Sequence, residues 1–359
     1  MKIGIDARND GTGVGRYTFS LVRELAGIDQ ENEYVLFLNS KRFTTLPPPG
    51  PNFRTVEAAI PWFTVREQLQ LPRLVARERL DLVHYPHLTV PLLCRTPFVV
   101  TLHDLNYLDP EATARRAALR AAYRLELAKA RRARRLIAVS EHTRDWVVRK
   151  LRVKRARITV TYEGADTPLV EPDLGVLARH GLDGAYFLYV GAAYPYKNLA
   201  RLIDAVAMLG GGHRLVLAGD HEEFGAPLRE RAAAAGVAGR VVFTGPVSEA
   251  ELAALYRGAL AYAFVSLSEG FGLPGLEAMA AGVPVVAARA GSLPEVYGDA
   301  ARYCDPLDAE SIAAALAEVA SDEQLRTRLV ARGRQRAGEF TWRRTAEQTL
   351  AVYREALLH

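Results

Sequence analysis

Two glutamates with seven residues between them form the strongest chemical signal of the chain, in the stretch SEGFGLPGLEAMAAGVPVVA. Glu269 is followed by Gly270 and Gly272, which let a backbone approach a ligand closely, and Pro274 suits the first turn of a helix. We predict that Glu277 lies on that turn. The two carboxylates could act as paired acid and base, or accept hydrogen bonds from the hydroxyls of a sugar and a ribose. A solvated acid at a helix start is the alternative.

Two further turns carry glycine or charge. In GAAYPYKN, residues 191–198, Lys197 places a positive charge beside the start of a predicted helix, an arrangement that suits a diphosphate. A solvated surface lysine is the alternative. The turn NDGTGVGRYT, residues 9–18, does not fit the dinucleotide fingerprint, because Arg16 stands where the third glycine belongs. A nicotinamide enzyme is therefore disfavoured, although such a loop can bring N–H groups toward an anion.

Short apolar runs alternate with helix-like stretches along nearly the whole chain, and they predict the elements that hold these turns. Strand, helix and strand repeated in this order indicate parallel sheets covered by helices on both faces. Ligands of such sheets lie at the carboxyl ends of the strands, where the three turns fall. The predicted strands are 2–6, 33–38, 81–85, 98–103, 136–140 and 158–162 in the first half, and 186–191, 214–219, 241–245, 260–266 and 283–288 in the second.

The length of 359 residues exceeds the roughly 250 to 300 residues that one core usually serves, so we expect two domains. The stretch EGADTPLVEPDLGVLARHG separates the two series of strands, and its prolines and glycines indicate an interdomain connection. We predict two doubly wound, Rossmann-like α/β domains, 1–168 and 169–340, that face each other across a cleft. A C-terminal helix over 341–359 is expected to pack back on the first domain.

Cysteine usage and hydropathy exclude several classes of protein. Cys94 and Cys304 are the only cysteines and have no metal-ligand spacing, so we expect a reducing compartment and no disulfide framework. The chain has no long apolar signal segment and no run of about 18 apolar residues. We therefore expect a cytoplasmic protein that does not span a membrane.

Charge is distributed unevenly. Residues 1–170 contain 28 Lys plus Arg and 18 Asp plus Glu, whereas the remaining residues contain 18 and 23. Zinc-finger spacings and RNA-binding signatures are missing, so nucleic acid is not an expected partner. In the helix-like segment 112–135, nine basic residues accompany one acid, Glu126, and the segment 60–75 adds aromatic residues. We predict peripheral attachment to an anionic membrane surface, with a solvated arginine-rich face as the alternative.

The spacing of Glu269 and Glu277 within EGFGLPGLEAMAAGVPVVAARAGSLPEV closely resembles the donor-site motif of the family 4 retaining glycosyltransferases, which have the two-domain GT-B fold. Other segments match that family in the same order along the chain. They are GTGVGRY near the start, TLHD at 101–104, VSEHTR at 139–144, YEGAD at 162–166, YVGAAYPYKN at 189–198 and VVFTGPVSEAEL at 241–252. The resemblance implies that the first domain binds the acceptor and the second the nucleotide-sugar donor.

The resemblance also implies a role for each matching residue. Glu277 would accept hydrogen bonds from the donor's ribose, Glu269 would meet the transferred sugar and Lys197 would bind the diphosphate. His103 would lie near the sugar on the acceptor side. The other matches are Gly13, Gly15 and Arg16 in the acceptor-side loop, Gly270, Phe271, Gly272 and Leu273 facing the sugar and diphosphate, and Thr244, Gly245 and Val247 beside the base.

One position departs from the family pattern. Many members carry an arginine directly after the glycine equivalent to Gly191, where this chain has Ala192. Some relatives place an arginine directly before the lysine instead, but here that residue is Tyr196. The diphosphate therefore loses one expected cation, for which Arg16 or the backbone N–H groups of 270–273 are the candidate replacements.

The activity that the resemblance implies is retaining transfer of a hexose from a nucleoside diphosphate to an acceptor hydroxyl, with the leaving phosphate oxygen taking the acceptor's proton. No Asp-x-Asp triplet occurs, so no metal and no further cofactor are expected. The Pro-x-Lys-Asn turn and the TLHD context resemble bacterial mannosyltransferases of surface-polysaccharide assembly, which favours GDP-mannose over UDP-sugar donors. The acceptor would be a saccharide or lipid-linked saccharide. An epimerase, a phosphorylase and a non-catalytic carbohydrate-binding protein are the alternatives.

Overall fold

The computed structural model describes residues 1–9, 13–104, 117–165, 170–221 and 223–358, with the backbone alone for 117–123. Contacts within the chain divide it into two compact units. The first contains Met1–Gly164 and Thr341–His359, and the second contains Ala165–Phe340. The predicted boundary at residue 168 lies outside the described residues.

Among the described residues of the first unit, seven parallel strands form one sheet in the order β3-β2-β1-β4-β5-β6-β7. Its central strands consist almost entirely of buried residues, as expected of strands that helices cover on both faces. The strands are β1 Lys2–Asp6, β2 Glu33–Leu38, β3 Phe53–Glu57, β4 Leu82–Tyr85, β5 Phe98–Leu102, β6 Arg135–Ala138 and β7 Ile158–Val160.

Six helices accompany these strands in the described part of the unit. Side-chain caps account for several helix starts: Thr64 accepts a hydrogen bond from the backbone N–H of Glu67, and Ser140 accepts one from Thr143. The last helix of the chain packs against the first helix and against β5 and β6. The helices are α1 Gly13–Ile28, α2 Ser40–Thr45, α3 Val65–Arg77, α4 Ala117–Ala130, α5 Glu141–Leu151 and α14 Trp342–Leu357.

Where the structure describes the second unit, six parallel strands form one sheet in the order β10-β9-β8-β11-β12-β13. Its strands are β8 Tyr186–Val190, β9 Arg214–Ala218, β10 Val241–Gly245, β11 Ala259–Phe264, β12 Val285–Ala288 and β13 Ala301–Cys304. Its helices are α6 Gly175–Arg179, α7 Leu199–Met208, α8 Gly225–Ala234, α9 Glu249–Gly258, α10 Leu273–Ala280, α11 Leu293–Tyr297, α12 Ala309–Ser321 and α13 Glu323–Gly338.

The predicted fold class, two parallel-sheet α/β domains, is confirmed, but the sequence analysis missed two strands. Both β3 and β13 lie at the edge of a sheet and pair with one neighbour. Each contains half-exposed or exposed residues, so neither shows the apolar run by which the central strands were predicted. Within the described ranges, no helix combines the length and the apolar composition that crossing a membrane requires.

Candidate functional site

Lys197 and Glu269 form an ion pair in the second unit, with 2.6 Å between Nζ and Oε1. Lys197 ends a short 3-10 turn after β8, and Glu269 follows β11. Because β8 and β11 are parallel neighbours, their carboxyl ends bring together two side chains that are 72 residues apart in sequence. The lysine and glutamate side chains are only 15% and 11% exposed, and Nζ also lies 5.0 Å from the centre of the Tyr196 ring.

Asn198 anchors the turn that carries the lysine. It has a left-handed backbone, with a φ of 63°, and its buried side-chain amide donates to the carbonyl oxygens of Val265 at 3.0 Å and Pro306 at 2.7 Å. The backbone N–H of Leu267 also donates to the carbonyl of Tyr196 at 2.8 Å. These bonds tie the lysine turn to the segment after β11, so the position of Lys197 is determined by the sheet edge.

The segment 269–272, which we call the glycine loop, is held through its carbonyl groups. The Ser292 hydroxyl donates to the carbonyl oxygens of Glu269 and Phe271, each at 3.0 Å, and the Tyr297 hydroxyl donates to that of Gly272 at 2.6 Å. In a trans peptide the N–H of the next residue points away from the carbonyl. The N–H groups after these carbonyls, from residues 270, 272 and 273, therefore face away from α11.

The Tyr297 hydroxyl also leaves no room for a Cβ atom at two nearby glycines. Gly272 precedes α10 with a φ of 102°, and a Cβ there would lie 2.6 Å from the tyrosine hydroxyl. A Cβ on Gly275 would approach the same hydroxyl even more closely. Burial raises the pKa of Tyr297 well above its usual range, which keeps the hydroxyl protonated as a donor. The sequence analysis missed Ser292 and Tyr297; the former stands in the quoted family motif.

Glu277 does not lie where the sequence analysis placed it. It is the fifth residue of α10, beyond the first turn, and it is only 3% exposed. Glu269 is buried as well. The alternative of a solvated acid at a helix start is therefore wrong for both glutamates. Buried carboxylates require hydrogen-bonding or charged partners.

Glycines also form the carboxyl edge of the neighbouring strands β8, β9 and β10. The Gly191 N–H donates to Ala218, and the Gly219 N–H donates to Gly245 at 3.0 Å. A Cβ on Gly219 would lie 2.6 Å from the Gly191 carbonyl oxygen, so the backbones are in close contact. This edge continues into Thr244 and Val247, both half-buried.

His221 is a residue of this edge that the sequence analysis missed. Its Nε2 lies 3.1 Å from the carbonyl oxygen of Gly191, and burial lowers the pKa of the imidazole. Ala192, which replaces the expected arginine, accepts a hydrogen bond through its backbone carbonyl from Tyr189 at 2.9 Å. Nothing in the sequence pattern distinguished His221 from a surface histidine.

In the first unit, His103 follows β5 and is held at both ring nitrogens. Nδ1 lies 2.8 Å from a Glu163 carboxylate oxygen, and Nε2 lies 2.9 Å from the carbonyl oxygen of Pro86. The ring of Tyr17 packs edge-on against the imidazole, with 4.7 Å between ring centres. The orientation of His103 is therefore fixed by side chains and backbone of its own unit.

The predicted acceptor-side loop is partly helical. Gly13, Gly15 and Arg16 lie in the first turn of α1, and residues 10–12 lie outside the described residues. The first unit contains these three residues and His103. The second unit contains Lys197, the glycine loop, Glu277 and the glycines at the ends of β8, β9 and β10. Within the described residues, no three His, Cys, Asp or Glu side chains cluster so as to hold a metal ion. The roles of the predicted site residues stay predictions.

Two family models match the chain, with the descriptions Glycosyltransferase Family 4 over residues 11–168 and Glycosyl transferases group 1 over residues 178–336. The chain is 29% identical to the O-antigen chain mannosyltransferase B of Escherichia coli, with 96% of each chain covered. Among solved structures it resembles sucrose-phosphate synthase from Thermosynechococcus elongatus, with a TM-score of 0.80, 22% identity and coverage of 99% and 98%. It also resembles Anabaena HepE in complex with UDP and glucose, with a TM-score of 0.77, 21% identity and 99% of each chain covered.

Proposed function

The chain belongs to the family 4 glycosyltransferases of the GT-B fold, and we propose that it transfers a hexose from a nucleoside diphosphate to an acceptor hydroxyl with retention at the anomeric carbon. The observation that carries this proposal is the Lys197–Glu269 pair beside the glycine loop. A cation, N–H groups that face away from α11 and a helix N-terminus together suit a diphosphate, and the adjacent carboxylate suits a sugar.

The proposed reaction breaks the bond between the anomeric carbon and the phosphate oxygen. The acceptor hydroxyl oxygen bonds to the same face of that carbon, and the leaving phosphate oxygen takes the acceptor's proton. The negative charge that develops on the diphosphate would be stabilised by Lys197, by the N–H groups of residues 270, 272 and 273 and by the N-terminus of α10. No metal ion would be required. Glu269 would contact the sugar as positive charge develops on it.

GDP-mannose is the proposed donor. The name of the relative from Escherichia coli, an O-antigen chain mannosyltransferase, supports mannose and a saccharide acceptor in surface-polysaccharide synthesis. A UDP-sugar is the second candidate, because the structural neighbour HepE binds UDP and glucose. Thermal unfolding with GDP and with UDP separates them, since a ligand at 100 times its Kd stabilises by about 2.7 kcal/mol. Stronger stabilisation by UDP would refute the GDP assignment.

Incubation with a panel of nucleotide sugars, with and without saccharide acceptors, tests the activity itself. We expect nucleotide release that depends on both substrates and a product that keeps the anomeric configuration of the donor. Sugar isomerisation without an acceptor would indicate an epimerase, and a requirement for inorganic phosphate would indicate a phosphorylase. Binding of the donor without turnover would indicate a non-catalytic protein.

We also propose that the first unit attaches to an anionic membrane surface on the cytoplasmic side. The side chain of Gln68 on α3 accepts from the Leu92 backbone at 2.8 Å and from Lys129 at 3.4 Å, so α3, the turn after β4 and α4 are adjacent. These three elements carry large apolar side chains in solvent. They are Val65, Leu69, Leu92, Leu93 and Leu125.

Arginines flank this apolar surface. Arg66, Arg73 and Arg77 lie along one face of α3 and line a cavity of about 340 Å³ against residues 57–60. The acid of the basic segment is neutralised internally, because buried Glu126 pairs with Lys129 at 2.6 Å. Residues 112–116 of that segment lie outside the described residues. Exposed apolar residues beside basic ones are typical of a peripheral membrane surface.

Sedimentation with vesicles tests this attachment. We expect more binding to vesicles containing phosphatidylglycerol than to neutral vesicles, and weaker binding as salt rises, because each basic residue contributes about 1 kcal/mol near the surface. Arg73→Gln with Arg77→Gln should reduce binding, whereas Arg343→Gln with Arg344→Gln on α14 is a charge-matched control. Equal sedimentation with both vesicles would refute the proposal.

A further inference from the structure

The carboxyl ends of three neighbouring strands in the first unit converge on a cluster in which His103 is the one residue that the sequence analysis predicted for the site. The strands β1, β4 and β5 are adjacent in the sheet. Arg8 follows β1 by two residues, His87 follows β4 by two, and His103 follows β5 directly. Ligands of parallel sheets bind at this edge, so the side chains there are candidates for substrate contact.

Hydrogen bonds of Arg8 connect the segment before α3 to this edge of the sheet. Its guanidinium donates to both carboxylate oxygens of Asp6, at 2.8 and 2.7 Å, to Glu67 at 2.7 Å and to the carbonyl of Ile60 at 2.9 Å. The arginine side chain is completely buried. The second Glu67 oxygen accepts from the backbone N–H of Phe63 at 2.9 Å. One arginine and two carboxylates therefore hold the position of the backbone from 60 to 63.

The rings of Trp62 and Phe63 belong to this segment, and the ring of His87 lies beside them. The ring centres of Trp62 and His87 are 5.5 Å apart, those of Phe63 and His87 are 6.3 Å apart, and the Arg8 guanidinium lies 5.3 Å from the Trp62 ring. Phe63 is 50% exposed and has a left-handed backbone, with a φ of 55°. A bulky residue in this conformation is strained, and strain held by surrounding structure is found where a side chain serves a function.

His87 presents a neutral polar group to the same cluster. Burial lowers its pKa to about 4, so the ring is uncharged at neutral pH. Its Nδ1 is buried and has no hydrogen-bond partner in the part of the chain that the structure describes. Such an atom loses hydrogen-bonding free energy unless a water or ligand hydroxyl reaches it.

We infer that Trp62, Phe63 and His87 form a binding platform for the acceptor saccharide, an inference that rests on the proposed function. Aromatic faces bind the apolar C–H face of a hexopyranose, and the imidazole suits one of its hydroxyls. The charged groups behind the rings, Asp6, Glu67 and Arg8, sum to one negative charge, which favours a neutral ligand over a phosphate. The platform adjoins His103, whose Nε2 contacts the carbonyl of Pro86, the residue before His87.

Two substitutions at Phe63 test the platform. Phe63→Ala removes the ring, and Phe63→Gly removes it while also accepting the left-handed backbone. We expect both to raise the acceptor KM about tenfold, as loss of an aromatic anchor does, while hydrolysis of the donor without acceptor and Kd for GDP or UDP stay unchanged. Phe63→Gly should keep or raise Tm, which excludes misfolding as the cause.

Phe43→Ala is the matched control. Phe43 is 39% exposed on α2 of the same unit, and in the described part of the chain its ring contacts none of the three platform rings. It should keep the wild-type acceptor KM. An equal rise in KM for Phe43→Ala, or unchanged KM for both Phe63 variants, would overturn the platform.

Direct binding separates failure of the platform from failure of the proposed function. Saturation-transfer NMR on the full chain without donor uses the methyl α-glycosides of mannose, glucose, galactose and N-acetylglucosamine as probes. We expect a signal from at least one glycoside with the wild type and about tenfold weaker binding with Phe63→Ala. If the signal is lost in Phe63→Ala and the wild type transfers sugar from no nucleotide sugar, the transferase proposal is refuted and the platform is retained. No signal from all four glycosides would overturn the platform.

Discussion

Replacing Glu269 by glutamine should make a free nucleoside diphosphate bind more tightly while sugar transfer slows. In the structure Nζ of Lys197 lies 2.6 Å from the Glu269 carboxylate. If Lys197 binds the diphosphate, a phosphate oxygen must replace or share that contact. Glutamine has the same shape and keeps an oxygen acceptor, so Glu269→Gln removes charge with little change in packing.

The expected magnitude follows from the strength of this contact. A hydrogen bond that involves a charged group contributes about 1.5 to 3 kcal/mol; the lysine–carboxylate pair, with two charges, lies at the upper end of this range and a lysine–amide pair, with one charge, lies toward the lower end. The diphosphate therefore competes with a partner that is weaker by about 1 to 1.5 kcal/mol, which corresponds to roughly five- to tenfold tighter binding. The lysine should stay in place because the rings of Tyr196 and Phe264 remain beside it, at 5.0 and 5.4 Å.

Transfer should respond in the opposite direction. Loss of a carboxylate that contacts the sugar only as charge develops lowers kcat, by about tenfold to a hundredfold for one charged hydrogen bond. Isothermal titration with GDP and UDP measures binding, and initial rates measure transfer. Lys197→Met is the paired control and should weaken nucleotide binding.

One result would refute this reasoning. If Glu269→Gln weakens nucleotide binding as much as Lys197→Met does, the two residues act as one structural unit. The carboxylate then serves to position the lysine and has no separate role at the sugar. A variant with wild-type kcat and wild-type nucleotide affinity would remove Glu269 from the site altogether.

Three further outcomes are expected. Tyr297→Phe leaves the Gly272 carbonyl without its 2.6 Å donor, so the free energy of unfolding should fall by about 1 to 3 kcal/mol and donor KM should rise. Calorimetry measures the stability, and initial rates measure the donor KM. An unchanged donor KM would contradict the anchoring role of Tyr297. Glu277→Gln should mainly raise donor KM, because the proposed ribose contact is equal in ground and transition states, so a fall in kcat alone would contradict it. Burial lowers the pKa of His84 to about 3, below its unfolded value of about 6.5. The unfolded state thus binds the extra proton, and acidification from pH 6.5 to 5 should cost about 1 to 2 kcal/mol of stability through His84, so denaturant titration should find a loss smaller by that amount in His84→Gln.

Much of the fold could be predicted from the sequence because buried parallel strands are continuous apolar runs. Eleven of the described strands were predicted in this way, and their regular alternation with helices restricts the topology to doubly wound sheets. The glycine-rich turns and the acidic pair are also local features, since a tight turn needs particular residues at particular positions. Residue type and spacing therefore singled out Lys197, Glu269 and Glu277 as candidate site residues.

The tertiary structure alone decided which of these residues meet and what holds them. The pairing of Lys197 with Glu269 depends on β8 and β11 being neighbours, which no local pattern encodes. Glu277 follows a proline start and looks solvated in sequence, yet packing buries it. Arg8 looks like any basic residue near a terminus until Glu67, 59 positions away, closes the buried cluster around it. Periodicity reports the burial of an element, but contacts between distant segments arise from how the elements pack, and only the folded chain contains that information.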